Sequence, residues 1–391
     1  MTPKDSLNQS NYSFFFLIVD NFLDINLYPH LKNFYPIYAY KNKNLSILKE
    51  QHIPYFCLEE QGINLQEKNS ARLLSQKEVQ EYISQQSQKD QKKAAIIPFK
   101  PASKIEKICQ DKDWTLISNP RKLNLFFEDK LNFVKICQEA KIPILPSTQI
   151  QLNQVSFQEA QSNFGQNLVI QSSHGWAGNS THLVSSYQEA LTLYPEFTPL
   201  KVSPLKEGYS LLNNAVIISN QLIQSPPALQ FTGLSPFTSH PFTTVGRQWP
   251  SLAPQHVISQ VKDLTQKFSQ VLINHDYKGF FGLDFFVSED QVFLLECNPR
   301  LTASFAFYTQ LELDQNLNPL FFFHLLSFIE NDYPVDANLE NNRFNNPQII
   351  GSEITSKDQH QVTIKKYNQN IAFTDSIKPI KIKEHILEIF K

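Results

Sequence analysis

The stretch QVFLLECNPRLTASF, residues 291–305, places an acid, an amide and an arginine directly after an apolar run. Its apolar run, residues 292–295, predicts a buried strand that leads directly into Glu296, Asn298 and Arg300. An acid at the end of a buried strand is costly unless it is paired or holds a metal. An arginine just beyond it can bind a phosphate oxygen through its planar fork. The stretch therefore predicts a strand that ends in functional side chains.

A second apolar run, residues 280–287, predicts the partner strand, joined through the polar turn 288–290. Because this turn is centred near residue 290, an antiparallel pairing places Asp284 opposite Glu296. Two carboxylates on one face of a sheet, with the amide oxygen of Asn298 beside them, make an all-oxygen site. Such a site suits Mg²⁺, and Mn²⁺ is an alternative ion for the same ligands.

Composition favours a globular protein without a charged partner surface. The chain has 391 residues, 41% of them hydrophobic and 18% charged, which predicts two or three domains. A formal net charge of −2 argues against general attraction to nucleic acid or to an anionic membrane. No apolar run approaches the ~18 residues that a membrane span needs, and residues 14–19 predict a buried first strand instead of a signal peptide. Four cysteines without CxxC spacing indicate reduced thiols, so we expect a cytoplasmic protein.

The scarcity of glycine excludes several classes of enzyme. Only ten glycines occur, and none precedes Gly62, so no GxGxxG turn can follow the first strand. No glycine is followed by lysine, which excludes the P-loop, and the GxSxG and HExxH motifs are absent from the sequence.

The order of predicted elements indicates an α/β region followed by a mixed α+β region. The first ~125 residues alternate as a βαβ sheet would, with strands predicted at 14–19, 36–40, 94–98 and 115–118 and an exposed helix at 77–85. One amphipathic helix is predicted from about Phe127 to Pro143. Further along, the patterns predict strands at 169–170 and 201–203, two β runs within 211–230, helices at 254–274 and 320–329, strands at 348–354 and 362–366, and a closing helix at 383–390.

A short glycine loop, HGWAGNST at residues 174–181, follows the predicted strand at 169–170. Gly175 and Gly178 allow backbone amides to approach an anion, and Ser180 adds a hydroxyl donor. An ordinary hairpin turn has a similar composition, so the loop alone does not specify an anion-binding site.

Together these pieces resemble the ATP-grasp superfamily of carboxylate–amine and carboxylate–thiol ligases. The matching segments are EDK, LVIQSSHGWAGNST, KVSPLKEG, GLDFF and LLECNPRLTAS, in the right order over about residues 119–330. The resemblance implies an α/β and α+β protein in which a Rossmann-like domain, residues 1–125, does not bind the nucleotide. It further implies an ATP-grasp domain of two α+β subdomains at 126–331, with a lid subdomain at about 145–205, and a small C-terminal α+β subdomain at 332–391.

The resemblance also implies the roles of the site residues. Asp284, Glu296 and Asn298 would hold the Mg²⁺ ions that bridge the β- and γ-phosphates, and Arg300 would stabilise the transferring phosphoryl group. Gln230 would contact the acceptor; the alternative is a core glutamine whose hydrogen bonds are satisfied within the protein. ATP binding is assigned to Lys130, Gln171, His174, Gly175, Gly178, Ser180, Lys201, Val202, Ser203, Leu205 and Glu207.

Some of these assignments have an ordinary structural alternative. Lys130 could be a solvated helix lysine, Lys201 could project into water, and Glu207 could belong to a surface turn. The backbone of residues 202–205 matches the hinge that binds adenine. At Gln171 the family usually has a second phosphate-contacting lysine, and a glutamine brings no charge.

The leading hypothesis is an ATP-dependent ligase that joins a small-molecule carboxylate to an amine through an acyl phosphate. One alternative is a catalytically weakened nucleotide- or metabolite-binding protein, which the neutral Gln171 would favour. Another is a related ligase with a thiol or bicarbonate as acceptor. The expected partners are small molecules, neither nucleic acid nor membrane, and a homodimer is left open.

Overall fold

The computed structural model describes residues 1–25, 27–175, 180–235, 237–330, 332–346 and 348–355, and the backbone of 363–367. Its strands form three sheets of five, four and eight strands. The expectation of an α/β region followed by α+β regions is confirmed.

The five-stranded sheet is parallel, with the order β3-β2-β1-β4-β5. Its strands are β1 (Tyr12–Ile18), β2 (Phe34–Tyr38), β3 (Phe56–Cys57), β4 (Lys93–Ile97) and β5 (Thr115–Leu116). Its helices are α1 (Pro3–Gln9), α2 (Asn44–Glu50), α3 (Ser70–Leu74), α4 (Lys77–Asp90) and α5 (Ser103–Asp111). Strand β1 is buried at every position after the first, as expected for a parallel sheet covered on both faces.

The sequence prediction was wrong in two details of this sheet. Strand β3 was not predicted, because two residues carry no readable periodicity. Helix α4 extends to Asp90, five residues beyond the predicted end at 85. Its last turn is anchored because the Asp90 carboxylate accepts hydrogen bonds from Ser13 Oγ at 2.6 Å and Tyr35 Oη at 2.8 Å.

A single predicted helix is in fact two. Helix α6 (Arg121–Glu128) ends at Asp129, which has the extended backbone of a helix cap, and helix α7 (Lys130–Glu139) begins immediately after it. The Asp129 carboxylate accepts hydrogen bonds from the amides of Leu131 and Asn132, which caps α7.

The four-stranded sheet has the order β6-β9-β7-β8. Its elements are β6 (Thr148–Gln151), α8 (Gln154–Phe164), β7 (Leu168–Ser172), β8 (Thr181–Val184), α9 (Tyr187–Leu193) and β9 (Pro199–Pro204). One face is apolar and packs on α8 and α9. On the other face the register aligns four polar residues in a row, namely Gln149, Lys201, Gln171 and Thr181. We call this unit the lid.

The eight-stranded sheet is antiparallel, with the order β15-β14-β10-β12-β13-β16-β17 and with β11 paired to β10. Its strands are β10 (Tyr209–Ile218), β11 (Gln221–Gln224), β12 (Ala228–Thr232), β13 (Thr244–Trp249), β14 (Gly279–Ser288), β15 (Gln291–Asn298), β16 (Gly351–Thr355) and β17 (Thr363–Tyr367). Residues 211–230 form three strands, not the predicted two, because Pro226 and Pro227 lack the amide hydrogens that a continuous strand would donate.

Four helices complete the described fold: α10 (Gln255–Ile273), α11 (Phe305–Asp314), α12 (Leu320–Ile329) and α13 (Ala337–Glu340). Helix α10 packs on one face of the eight-stranded sheet. Helices α11 and α12 lie on the other face and join the core of the parallel sheet, where the rings of Phe16 and Phe305 meet edge to face at 5.5 Å.

The predicted closing helix, 383–390, lies outside the described residues. Within the part of the chain that the structure describes, no helix has the length and apolarity to cross a membrane.

Candidate active site

The hairpin of β14 and β15 brings the two predicted metal-binding acids together. Its turn, Glu289–Asp290, has φ values of 49° and 61°, which match the I′ turn that favours tight hairpins. This turn alone would place Asp284 opposite Leu295. A bulge at Leu295 shifts the register by one residue, so Asp284 pairs with Glu296 as the sequence suggested.

Hydrogen bonds hold these carboxylates within one polar cluster. Gln230 Nε2 donates to Asp284 Oδ1 at 2.8 Å, which places Gln230 beside the acids from strand β12. Asn298 Nδ2 donates to Asp284 Oδ2 at 3.0 Å and to Glu296 Oε1 at 3.4 Å. The sheet therefore assembles these four side chains from three of its strands.

The two carboxylates differ in acidity because their neighbours differ. Burial raises the pKa of Asp284 well above its usual value, and the nearby Glu296 carboxylate raises it further. Burial acts in the same direction on Glu296, but Lys130, the hydrogen bond with Asp284 and Arg300 together outweigh it and lower its pKa. Two carboxylates this close repel each other, so the pair favours a bound cation.

The donor set fits a hard divalent cation. It offers two carboxylates and one amide, all oxygen ligands of the type that Mg²⁺ prefers. Asn298 Oδ1 accepts a hydrogen bond from Arg300 Nη2 at 2.9 Å, so its amide would have to turn over before this oxygen could hold a metal. Across the described residues no cluster of three or more His, Cys, Asp or Glu side chains could hold a metal ion.

Arg300 is held by an acid that the sequence analysis did not single out. Its Nε donates to Glu128 Oε1 at 2.7 Å, and its guanidinium lies 5.0 Å from the centre of the Phe99 ring. Burial raises the pKa of Glu128, but the charges of Arg300 and Lys100 outweigh burial and lower it overall. The one available signal was the position of Glu128 in the EDK motif, two residues before Lys130.

Lys130 connects the acids to the glycine loop. Its Nζ lies 3.5 Å from Glu296 Oε2 and donates a hydrogen bond to the Gly175 carbonyl at 3.2 Å. The residue is only 5% exposed, so it is not a solvated helix lysine. Its backbone amide donates to the Ser173 carbonyl, which ties the start of α7 to the lid.

The lid places a second lysine close to Lys130 and Glu296. Lys201 on β9 lies directly across from Gln171 on β7, on the polar face of the lid sheet. It is 5% exposed, and among the described residues it has no hydrogen bond or ion pair, so it does not project into water. Burial, followed by repulsion from Lys130, lowers the pKa of Lys201 to about 8. Gln171 itself donates to Thr181 Oγ1 at 2.9 Å.

The remaining loop residues are arranged less tightly. His174 is exposed, with Nδ1 at 2.9 Å from Ser173 Oγ and Nε2 at 3.9 Å from Asp129. Ser180 is buried, and its carbonyl accepts a hydrogen bond from the Tyr194 hydroxyl. Gly178 lies outside the described residues.

The predicted hinge links the lid to the eight-stranded sheet. The Val202 side chain is in the apolar core of the lid, and Ser203 is buried. Leu205 and Glu207 are exposed, and Glu207 has no hydrogen bond or ion pair within the described residues. The structure therefore does not bring the Glu207 side chain together with the acids.

Comparison with known proteins shows similarity in structure only. No family model and no curated protein matches the sequence. The N5-carboxyaminoimidazole synthetase of Staphylococcus aureus with ADP has a TM-score of 0.57 at 12% identity, over 88% of this chain and 82% of that one. The biotin carboxylase of Campylobacter jejuni with a β,γ-ATP ligand has a TM-score of 0.61 at 14% identity, over 88% and 75%.

A third similar structure, the phosphoribosylamine–glycine ligase of Thermotoga maritima, has a TM-score of 0.57 at 11% identity, over 90% of this chain and 82% of that one. All three are ATP-grasp ligases. Identities this low show the fold alone. The chain has the ATP-grasp fold.

Proposed function

We propose that this protein is an ATP-dependent ligase that joins a carboxylate to an amine through an acyl phosphate, releasing ADP and phosphate. The proposal rests on one observation: Glu296, which pairs with Asp284, interacts with the charges of Lys130, Lys201 and Arg300. A protein that only bound a nucleotide would have little need for a close acid pair together with an arginine.

In this proposal the chain holds ATP between the lid and the sheet. The ammonium groups of Lys130 and Lys201 neutralise phosphate oxygens, and the backbone of residues 202–205 binds adenine. The amides of the glycine loop at Gly175 and Gly178 and the Ser180 hydroxyl add donors, with His174 at the edge. Asp284 and Glu296, with Asn298 after its amide turns, would hold Mg²⁺, which when bound neutralises the β- and γ-phosphates.

The reaction needs no nucleophile from the protein. A substrate carboxylate oxygen attacks the γ-phosphorus, and the bond to the β,γ-bridging oxygen breaks to release ADP. The amine then attacks the acyl carbon and displaces phosphate, and an amide forms with loss of a proton. Arg300 stabilises the charge on the transferring phosphoryl group, and Gln230 positions the acceptor beside Asp284.

Lys201 bears on the alternative that the protein binds a nucleotide or metabolite without catalysing a reaction. The neutral Gln171 would leave the lid without a phosphate-binding charge, but Lys201 lies directly across from it on the same face. The cation that strand β7 lacks is thus available from strand β9. A buried ammonium without a counterion among the described residues is what an anion site requires.

The acceptor class is open to a direct test. The structure of one similar protein, a biotin carboxylase domain, contains MgADP and bicarbonate, and another similar protein is named for glycine. We propose an amine acceptor here, and the mass of the product separates it from a thiol or bicarbonate. A cytoplasmic location and a homodimer stay predictions, which cell fractionation and light scattering test.

The deciding experiment combines Mg-ATP with pools of carboxylic acids and amines, and measures ADP together with new product masses. We expect ADP only when an acid and an amine are both present. Glu296→Gln should lower turnover at least a thousandfold, because it removes a metal-binding charge while it preserves the volume. Glu289→Gln, in the exposed turn of the same hairpin, is the matched control and should behave as the wild type. Equal activity in the two variants would refute the acid assignment.

A further inference from the structure

A row of polar side chains continues across the eight-stranded sheet beyond the acids described above. Gln230 on β12 pairs in register with Arg247 on β13, and Arg247 pairs with Glu353 on β16. Residues opposite each other in an antiparallel sheet lie on the same face. Gln230 donates to Asp284, so the row runs on the reactive face from the acid pair to Glu353.

Arg247 uses only part of its hydrogen-bonding capacity. Its Nη1 donates to Glu353 Oε1 at 2.8 Å. Its Nε is buried without a hydrogen-bond partner, and within the described residues Nη2 donates to nothing. Nε and Nη2 form the side edge of the guanidinium, the fork that binds a carboxylate with two parallel hydrogen bonds. The side chain is 13% exposed, so Arg247 is not completely sealed from solvent.

The charge around Arg247 selects the kind of anion. Glu353 already balances the positive charge of Arg247. Asp284 is also close enough that this charge acts to lower its pKa, against the larger effect of burial. A singly charged carboxylate adds less repulsion beside these acids than a doubly charged phosphate would. Strands β10 and β12 lie between β14, which carries Asp284, and β13, which carries Arg247. Gln230 on β12 contacts Asp284 and pairs with Arg247, so a carboxylate bound to Arg247 is a different group from the one that reacts beside Asp284.

We infer that Arg247 binds a substrate carboxylate that stays unreacted. This inference rests on the proposed ligase function and deepens it: one substrate carries a second acidic group, as an amino acid or a dicarboxylic acid does. Gln230 then separates the reacting end of that substrate, at Asp284, from the anchored end at Arg247. Glu353 orients the guanidinium from the far side.

The first test compares free acids with their amides. Glycine, alanine, glutamate and succinate are supplied in the ADP assay beside the matching primary amides. We expect activity with at least one free acid to exceed that with its amide by tenfold or more. Arg247→Met should raise the KM for that acid about a hundredfold and remove the preference, while the KM for ATP changes less than twofold. Equal use of acid and amide by the wild type would overturn the inference.

Glu353→Gln separates binding from a structural role. If Arg247 only ties β13 to β16, both variants lose thermal stability alike and neither changes the preference for acids. We expect Glu353→Gln to keep the preference, because the guanidinium stays in place. Inorganic phosphate is the competing probe. Thermal stabilisation by phosphate but not by succinate, lost in Arg247→Met, would contradict a carboxylate site.

A binding measurement decides the inference even if no pool yields ADP, the outcome that would refute the proposed function. Thermal unfolding is followed with 10 mM succinate or succinamide in the presence of Mg²⁺ and a non-hydrolysable ATP analogue. Stabilisation by succinate but not by succinamide, lost in Arg247→Met and kept in Glu353→Gln, supports the site. The same midpoint with both additives overturns it.

Discussion

At the scale of single residues, Lys201 has the clearest consequence. Strand β9 carries an ammonium where the neighbouring strand carries the neutral Gln171, and the two residues are register partners. An ammonium about 4 Å from a phosphate oxygen interacts by roughly 4 kcal/mol at an effective dielectric near 20, before desolvation is subtracted. Lys201 is therefore expected to supply much of the lid's contribution to ATP affinity.

Exchanging the charge between the two strands tests this role. Lys201→Val should weaken ATP binding about thirtyfold, and Gln171→Lys in that background should restore most of the loss, because it returns an ammonium to the same face. Gln171→Lys alone should change affinity less than threefold, since the new ammonium meets Lys201 and Lys130. Calorimetric titration of ATP at fixed Mg²⁺ measures all four proteins. Failure of the double variant to recover would show that residue 171 does not face the phosphates.

The buried amine also predicts a pH dependence. Burial and Lys130 lower the pKa of Lys201 to about 8 in the free protein, and a bound phosphate raises it again. Below pH 8 the amine is already charged, whereas above pH 8 ATP must bind together with a proton. We therefore expect ATP affinity to fall as the pH rises from 8 to 9.5, with proton uptake visible in buffers of different ionisation enthalpy. The uptake should vanish in Lys201→Val, and its persistence there would assign it to another group.

The sequence predicted these site residues unevenly, for physical reasons. Asp284, Glu296 and Asn298 were found because a polar side chain within or at the end of an apolar strand is locally conspicuous. Glu128, Arg247 and Glu353 were missed because the side chain that each of them binds lies more than a hundred residues away in the chain. The pairing of Asp284 with Glu296 was predicted from a regular ladder and is correct because the bulge at Leu295 compensates for the tight turn.

At the scale of elements, the break at Asp129 positions the first lysine. Its carboxylate caps α7 and fixes the point at which Lys130 leaves the helix. A continuous helix, as the sequence pattern predicted, would have no cap at this point. The pattern could not reveal the break because the apolar positions on both sides of Asp129 keep helical spacing.

Removing this cap should affect both stability and function. Asp129→Ala should cost about 1 kcal/mol of unfolding free energy and raise the KM for ATP about tenfold, because Lys130 loses its fixed direction. Asn69→Ala is the matched control. Asn69 caps α3 in the parallel-sheet region, because its Oδ1 accepts hydrogen bonds from the backbone amides of Ala71 and Arg72. We expect a similar loss of stability there without a change in KM. An unchanged KM in Asp129→Ala would separate the cap from ATP binding.

Longer elements were predicted well and short ones poorly. The helix at 320–329 and the strands of the β14–β15 hairpin match within a residue or two, because their apolar patterns are long. The end of α4 at Asp90 depends on contacts with other elements, so local periodicity could not place it.

At the scale of the whole molecule, the parallel sheet and the eight-stranded sheet share one apolar core. Phe16 of β1 contacts Phe305 and Phe321 of the helices that cover the eight-stranded sheet. The lid has a separate core around Phe157. We therefore expect the two sheets to unfold together and the lid to unfold independently of them.

Core substitutions test this division. Phe16→Ala should cost about 3–5 kcal/mol and lower the unfolding midpoint equally at Trp114 and Trp249, measured in two single-tryptophan proteins. Phe157→Ala, an equal truncation in the lid, should leave both tryptophan transitions in place. Earlier unfolding at Trp114 alone would contradict a shared core.

The central claim is that the γ-phosphoryl group of ATP is transferred to a carboxylate oxygen of the substrate. Isotope transfer tests it most directly. A pool of carboxylic acids, exchanged with ¹⁸O in both oxygens, is supplied with Mg-ATP, amines and unlabelled water, and the released phosphate is analysed by mass. The account predicts one ¹⁸O atom in each phosphate for every ADP formed, and no labelled phosphate from Glu296→Gln. Phosphate that takes its new oxygen from water alone would show ATP hydrolysis and contradict the account.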